Sequence, residues 1–436
     1  MKIGCQDGPC RSFHQVTGYD GILNERAVHQ ATETCFMCFW LHNELIEKGK
    51  LSMRKIKNKK TMAVCVAVLA AMGVMSMRAA SEESSAGTVT QVQMDYASVE
   101  NVVPMGMLEL TANEGKVQPS AQLTAPVANM YRSELTNEWI DASLAMQRPV
   151  AIMVDNESKA LPHYGLTEAD VVYEMMNSTA NGRITRLMAI VKDWDKITRF
   201  GSIRSTRPTN VMLAAEWNAV LCHDGGPFYI NDWIAKDYSA NLSGGFSRIN
   251  NGKPREFTEY ICTGELGRRI QSAGYSREYN AFYPGKHFTF SDTEIDLTGR
   301  AGAVNCSQID LPFPHNQSKL VYNAVTKTYD YYEYGKAHID PQHNNAQLTF
   351  KNLLIQDTTF SQLDKNGYLI YNAIDTGRAG YYITNGKAIA VTWAKTGENT
   401  PTVYYDVMTG KPIEINTGKT YIALVPSDSF ANIVIR

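Results

Sequence analysis

The feature that most limits how this chain can fold is an apolar stretch, residues 62–77, that holds no charged side chain. The basic run Met53-Arg54-Lys55-Ile56-Lys57-Asn58-Lys59-Lys60 precedes it and Arg78 ends it. A basic head followed by an apolar stretch is the pattern of a secretory signal. As a helix the stretch spans about 24 Å, short against a hydrocarbon core of about 30 Å. Val74 and Ser76 give an acceptable small-residue cleavage pattern, whereas Arg78 spoils cleavage after Ala80. Residues 53–80 are therefore expected to be a signal peptide, with an uncleaved signal anchor as the alternative. Either way the body lies outside the cytoplasm, secreted or anchored, and meets the membrane only through this segment.

The basic run holds the upstream end on the cytoplasmic side. Residues 1–52 have two readings. They can form a zinc module with Cys35-x-x-Cys38 and Cys5, Cys10, His14, His29 or His42 as ligands. Alternatively they are a doubtful extension and translation starts at Met53, since a signal peptide begins at the chain's start. The codons of Glu47-Lys48-Gly49-Lys50 would also resemble a ribosome-binding site. The false start is the expectation. Residues 81–131, rich in Ser, Thr, Ala, Gln and Glu, read as a flexible linker.

Charge is unevenly spread. Of 42 basic and 44 acidic side chains, 11 and 6 fall in residues 1–78, leaving 31 and 38 in the remainder. A net acidic body argues against a nucleic-acid binder, which needs a basic face to displace counterions. Only Cys222, Cys262 and Cys306 lie in the body. Three distant cysteines cannot all pair within one chain, so isolated buried cysteines are expected rather than a disulfide framework.

From residue 132 the pattern becomes globular. Residues 149–154, 170–174, 184–191 and 197–203 read as buried strands. Pro208 opens a helix over 208–217, and residues 219–222 read as another strand. Helices are expected over 228–238 and 264–272. Beyond residue 319, segments rich in Tyr, Val, Ile and Thr are punctuated by Asn385-Gly386, Thr409-Gly410 and Thr417-Gly418. The expected class is α+β: an α/β module with a mixed sheet over 132–300, then a mainly antiparallel, β-rich module over 301–436.

Ordered segments carry a resemblance. They include Arg148-Pro149-Val150-Ala151-Ile152-Met153-Val154-Asp155-Asn156, Gly165-Leu166-Thr167-Glu168-Ala169-Asp170-Val171-Val172-Tyr173-Glu174, Ile184-Thr185-Arg186, Arg204-Ser205-Thr206-Arg207-Pro208 and His223-Asp224-Gly225-Gly226. Gly335-Lys336-Ala337-His338-Ile339-Asp340, Leu348-Thr349-Phe350-Lys351-Asn352, Asn385-Gly386-Lys387, Trp393, Pro401-Thr402 and Gly418-Lys419-Thr420-Tyr421 extend it. Over about residues 132–426 the chain resembles the YerB-like lipoprotein family. The resemblance implies a two-domain bacterial envelope protein and brings no established reaction. Members are typically lipid-anchored at an exported cysteine. This sequence departs there, since no cysteine lies between the apolar stretch and Cys222.

Candidate chemistry gathers where predicted strands end: at Asp155-Asn156, at Arg204 to Arg207, and at His223-Asp224-Gly225-Gly226. If these strands run side by side in one sense, their loops share the edge that ligands favour in open α/β sheets. Two of the loops lead into expected helices, whose first amides attract anions. Arg186, Arg204 and Arg207 add fork-shaped donors suited to phosphate or carboxylate, with Arg183 a weaker addition. The expectation is a ligand site for an anionic envelope molecule, or an envelope protein partner. The alternative is that the arginines pair with Asp170, Glu174 or carbonyl groups and hold the module together.

An enzyme acting on a phosphorylated or carboxylated envelope substrate is the other function class. His223 would be its base, Asp155 or Asp224 would orient it, and the arginines would steady developing charge. Cys222 and His223 are adjacent, so on a strand they point to opposite faces and make a poor dyad. No serine-nucleophile elbow or Walker loop is present. His338-x-Asp340 and His343 have metal-ligand chemistry, but turn and hydrogen-bond roles are commoner in β-rich stretches. No metal ligand, cofactor or catalytic residue is assigned.

Overall fold

The computed structural model describes residues 128–436. The expected extension, signal segment and most of the linker lie outside the described residues. Apolar runs buried on both faces become central strands. Eleven strands form the principal sheet: β1 (Val150–Asp155), β2 (Val171–Met176), β3 (Thr185–Val191), β4 (Val220–His223), β5 (Ala240–Ser243), β6 (Val304–Asn305), β7 (Asn352–Thr358), β8 (Asp375–Thr384), β9 (Lys387–Lys395), β10 (Val403–Asp406) and β11 (Thr420–Pro426). Their order is β6-β9-β8-β7-β11-β2-β3-β1-β4-β5, and β10 also pairs with β9.

This sheet draws on residues from both sides of position 300. The seam is β11, which runs parallel to both neighbours: Ile422 faces Tyr173 of β2 on one side and Leu354 of β7 on the other. Successive side chains of a strand point to opposite faces, and here they feed two separate cores. Val150, Ile152, Val154, Leu187, Ala189, Tyr421 and Ala423 enter one; Ala151, Met153, Tyr173, Met188, Ile190, Ile422 and Leu424 enter the other.

Helix α1 (Pro208–Ala215) covers the second face, through Val211, Leu213 and Ala214. Pro208 supplies the preset first turn, and Asn218 ends the excursion with a left-handed φ of 53°. The first face is covered by Leu266 and Ile270 of a second helix, Glu265–Ser272, and by a six-stranded sheet that contributes Ile309, Leu320, Tyr329, Tyr331 and Phe350.

The fold is β-rich, with less helix than the sequence suggests. The helix expected over 228–238 shrinks to one 3-10 turn, Phe228–Ile230, and one α turn, Asn231–Ile234. Its remainder is drawn away, with Lys236 and Tyr238 both reaching Glu398. The strand expected over 197–203 is only Arg199–Gly201 and joins a separate three-stranded sheet. The turn at Asn385-Gly386 forms as expected, with both residues at positive φ between β8 and β9. Cys222, Cys262 and Cys306 are all unpaired. Among the described residues, no helix is long and apolar enough to cross a membrane.

Candidate anion site and a buried histidine cluster

The three polar loops meet, though by a different route from the one expected. Strands β1 and β4 are parallel neighbours, so Asp155 and His223 end at the same edge. The 203–204 segment crosses that edge in the opposite sense. Ile203 bridges Val154, the Arg204 N–H donates to the Met153 carbonyl at 3.0 Å, and the Asp224 N–H donates to the Arg204 carbonyl at 3.0 Å.

The arginines then part company. Arg204 is neutralised: its Nε pairs with the fully buried Asp155 carboxylate and its Nη2 lies 3.2 Å from Glu256. Arg186 and Arg207 have no carboxylate in ion-pair range among the described residues. Arg186 Nη1 donates to the Ser205 carbonyl and hydroxyl, each at 2.8 Å. Arg207 Nη1 donates to the Thr206 carbonyl at 2.7 Å and the Ser205 hydroxyl at 3.2 Å. Both side chains are buried, and neither Nε has a hydrogen-bond partner among the described residues. The Arg207 guanidinium also lies 3.9 Å over the Tyr368 ring.

Burial lowers the pKa of Arg186. Burial, together with the Arg186 charge, pushes Arg207 down to about 9. Met175, Asn177, Thr209, Asn210 and Tyr371 line a slot against the two arginines, too narrow to hold a water molecule. The carboxylates Asp170 and Glu174 serve other groups: Asp170 accepts from the Lys192 N–H at 2.7 Å, and Glu174 accepts from Asn316, Tyr331 and Tyr421.

The remaining candidates have local duties. Asn156 Nδ2 donates to Thr185 Oγ1 at 2.9 Å. His223 is buried, with Nδ1 2.8 Å from the Gly225 carbonyl, which also accepts from the Thr206 N–H. Gly225 holds φ at +68°, which glycine adopts without strain, and a Cβ on Gly226 would meet the tip of the Ile230 side chain. Asp224 faces Arg248 at 3.4 Å. Burial pushes the Cys222 thiol up to about 12, so it makes little thiolate at neutral pH. Arg183 pairs with Asp428 at 2.9 Å.

A cleft of about 730 Å³ lies elsewhere, against Leu311, Phe313, Arg183 and Arg436. Its size exceeds its chemistry, because Arg183 and Arg436 are already paired, with Asp428 and Asp310.

A second cluster escapes any reading of local spacing. His163, Glu333 and His338 are all buried, and one ligand atom from each lies within 4.8 Å of the others. The loop after β1 carries His163; Glu333 ends the strand Thr328–Glu333; His338 follows the tight turn at Tyr334-Gly335. The histidine motif visible in the sequence, to which no metal was assigned, separates. Asp340 accepts from Thr167 Oγ1 at 2.8 Å, and His343 lies 2.7 Å from Glu168, while His338 turns inward.

Against known proteins, two family matches divide the chain. Residues 135–276 match the N-terminal domain, and residues 309–422 the C-terminal domain, of a family described as "Protein of unknown function (DUF3048)". The chain is 25% identical over 316 residues to a Bacillus subtilis (strain 168) protein named "Putative lipoprotein YerB", covering 70% of this chain and 89% of that protein. The crystal structure of YerB from Bacillus subtilis shares the fold at a TM-score of 0.59 and 22% identity, covering 70% of this chain and 99% of that one. With both domain matches in order along the chain, the protein belongs to the YerB-like family.

Proposed function

We propose that this protein is exported to the cell envelope and acts there as a binding protein, taking an anionic group at Arg186 and Arg207 in a slot that must widen to admit it. In this reading residues 132–300 are the α/β module that carries the site, and residues 301–436 are its β-rich companion. One observation carries the proposal: two arginines, 5% and 4% exposed, are buried close together with no carboxylate in ion-pair range of either among the described residues. Arg207, at about 9, stays cationic at neutral pH. Burying like charges costs stability unless a group of opposite charge joins them. The planar forks suit a phosphate or carboxylate. Export is supported by the basic run and apolar stretch before residue 78, and by the lipoprotein name of the Bacillus subtilis relative.

The test is to incubate the full chain with an envelope extract, repurify it and identify co-purifying small molecules by mass spectrometry. A phosphorylated or carboxylated compound retained by the parent and lost from Arg186→Gln and Arg207→Gln is the expected result. Equal retention by parent and variants would refute the site. Fractionation should place the protein outside the cytoplasm.

A further inference from the structure

Buried polar atoms are nearly always hydrogen-bonded, so two free imidazole nitrogens in one buried cluster call for a physical account. His163 is fully buried and its Nε2 lies 2.5 Å from the main-chain carbonyl of Asp155. A carbonyl only accepts, so Nε2 carries the hydrogen and Nδ1 keeps a lone pair. That Nδ1 has no partner among the described residues. His338, 3% exposed, has Nδ1 2.8 Å from Glu333 Oε1, and its Nε2 is likewise unpartnered. The two rings stand 5.0 Å apart between centroids. Glu333 is 2% exposed, and Asn316 Nδ2 lies 3.4 Å from its other oxygen.

We propose that His163, Glu333 and His338 form a binding site for a divalent transition-metal ion of the zinc class. The two free nitrogens, His163 Nδ1 and His338 Nε2, are the imidazole ligands that zinc accepts, Glu333 orients His338 through its Nδ1–H, and further positions stay open. The ordering of His163 matches what metal-binding histidines require: the far nitrogen donates to a carbonyl, which fixes the ring and its tautomer. Tetrahedral ligands at ordinary zinc distances stand about 3.3 Å apart, so ligand atoms within 4.8 Å of one another must draw in to hold the ion. A divalent charge balances the Glu333 carboxylate in a place that water does not reach. The ion would also rivet the halves of the chain, since His163 precedes residue 300 and Glu333 and His338 follow it. This site is separate from the arginine pair and stands or falls without it.

The test uses the full chain, stripped with a chelator and then titrated with Zn²⁺ and Co²⁺. Residues 1–52 hold four cysteines that can also take metal, so bound metal per chain is compared between the parent and the variants His163→Gln, His338→Gln and Glu333→Gln. Each histidine variant is expected to bind one ion fewer than the parent. The lost Co²⁺ should show tetrahedral visible bands without a thiolate charge-transfer band. Zn²⁺ should raise the parent's melting temperature by several degrees and leave the variants unmoved. If a variant fails to fold, the parent's Co²⁺ spectrum decides alone: tetrahedral bands of nitrogen and oxygen character support the site. A parent that binds no ion, or binds only through thiolates, overturns it, as does unchanged stoichiometry in folded histidine variants.

Discussion

Arg186 and Arg207 share one hydroxyl: Ser205 Oγ accepts from Nη1 of both, at 2.8 and 3.2 Å. This is the only side-chain acceptor that the two buried cations have in common among the described hydrogen bonds. In the proposed reading it marks where an incoming anionic oxygen would be received. Replacing Ser205 by Ala removes that acceptor from two charged donors. The expected cost is about 1–3 kcal/mol without ligand, read by chemical denaturation. Added phosphate should restore more stability to Ser205→Ala than to the parent. A variant as stable as the parent, with no larger response to phosphate, would count against a shared acceptor.

Arg204 should behave differently from its neighbours. Its Nε pairs with Asp155, which is fully buried, so Arg204→Gln leaves a buried carboxylate without its cation. The expected loss is about 3 kcal/mol, insensitive to phosphate. A melt indistinguishable from the parent's would show that the pair contributes nothing.

A second buried ion pair ties α1 to β9. Glu216 and Lys395 are both fully buried, with Nζ 3.2 Å from Oε2, and Thr402 Oγ1 and Tyr173 also donate to the carboxylate. Burial alone would raise the Glu216 pKa, but Lys395, His287 and Tyr173 together bring it down to about 2. A carboxylate held below its ordinary value of 4.5 contributes stability that is full above that value and is lost as pH falls towards 2. The difference corresponds to about 3 kcal/mol. Stability of the parent should therefore fall between pH 4.5 and 2, and Glu216→Gln should flatten that limb. Lys395→Met, by stranding the carboxylate, should cost about 3–5 kcal/mol at neutral pH. An acid limb equally steep in Glu216→Gln would assign it to other groups.

Several parts of this architecture are legible in the sequence because they are local. Asp155, Arg204 and His223 stand where apolar runs stop, and a polar residue after a buried strand marks a sheet edge. Asn385-Gly386 specifies its own turn. Other parts depend on partners far along the chain. Residues 420–425 fall in a stretch rich in Tyr, Val, Ile and Thr, yet nothing in them says that β2 and β7 lie on either side. Parallel pairing between distant segments leaves no spacing to detect. The separation of Arg204 from Arg186 and Arg207 turns on where Asp155 and Glu256 point. His163, Glu333 and His338 close across more than 170 residues of chain, and the visible motif, His338-x-Asp340, misleads because adjacent turns send its two members apart.

The central claim, that Arg186 and Arg207 hold an anion rather than brace the fold, is tested most directly by thermal melts of the parent and Arg207→Gln, with and without phosphate. Arg207 repels Arg186 and makes no ion pair with a carboxylate among the described residues. Its replacement should leave the phosphate-free melting temperature unchanged or slightly raised. Phosphate should stabilise the parent, by about 2.7 kcal/mol at a hundredfold excess over its dissociation constant, and leave Arg207→Gln unmoved. A large loss of melting temperature in Arg207→Gln, with no phosphate-dependent stabilisation of the parent, would contradict the account and make the pair a structural brace.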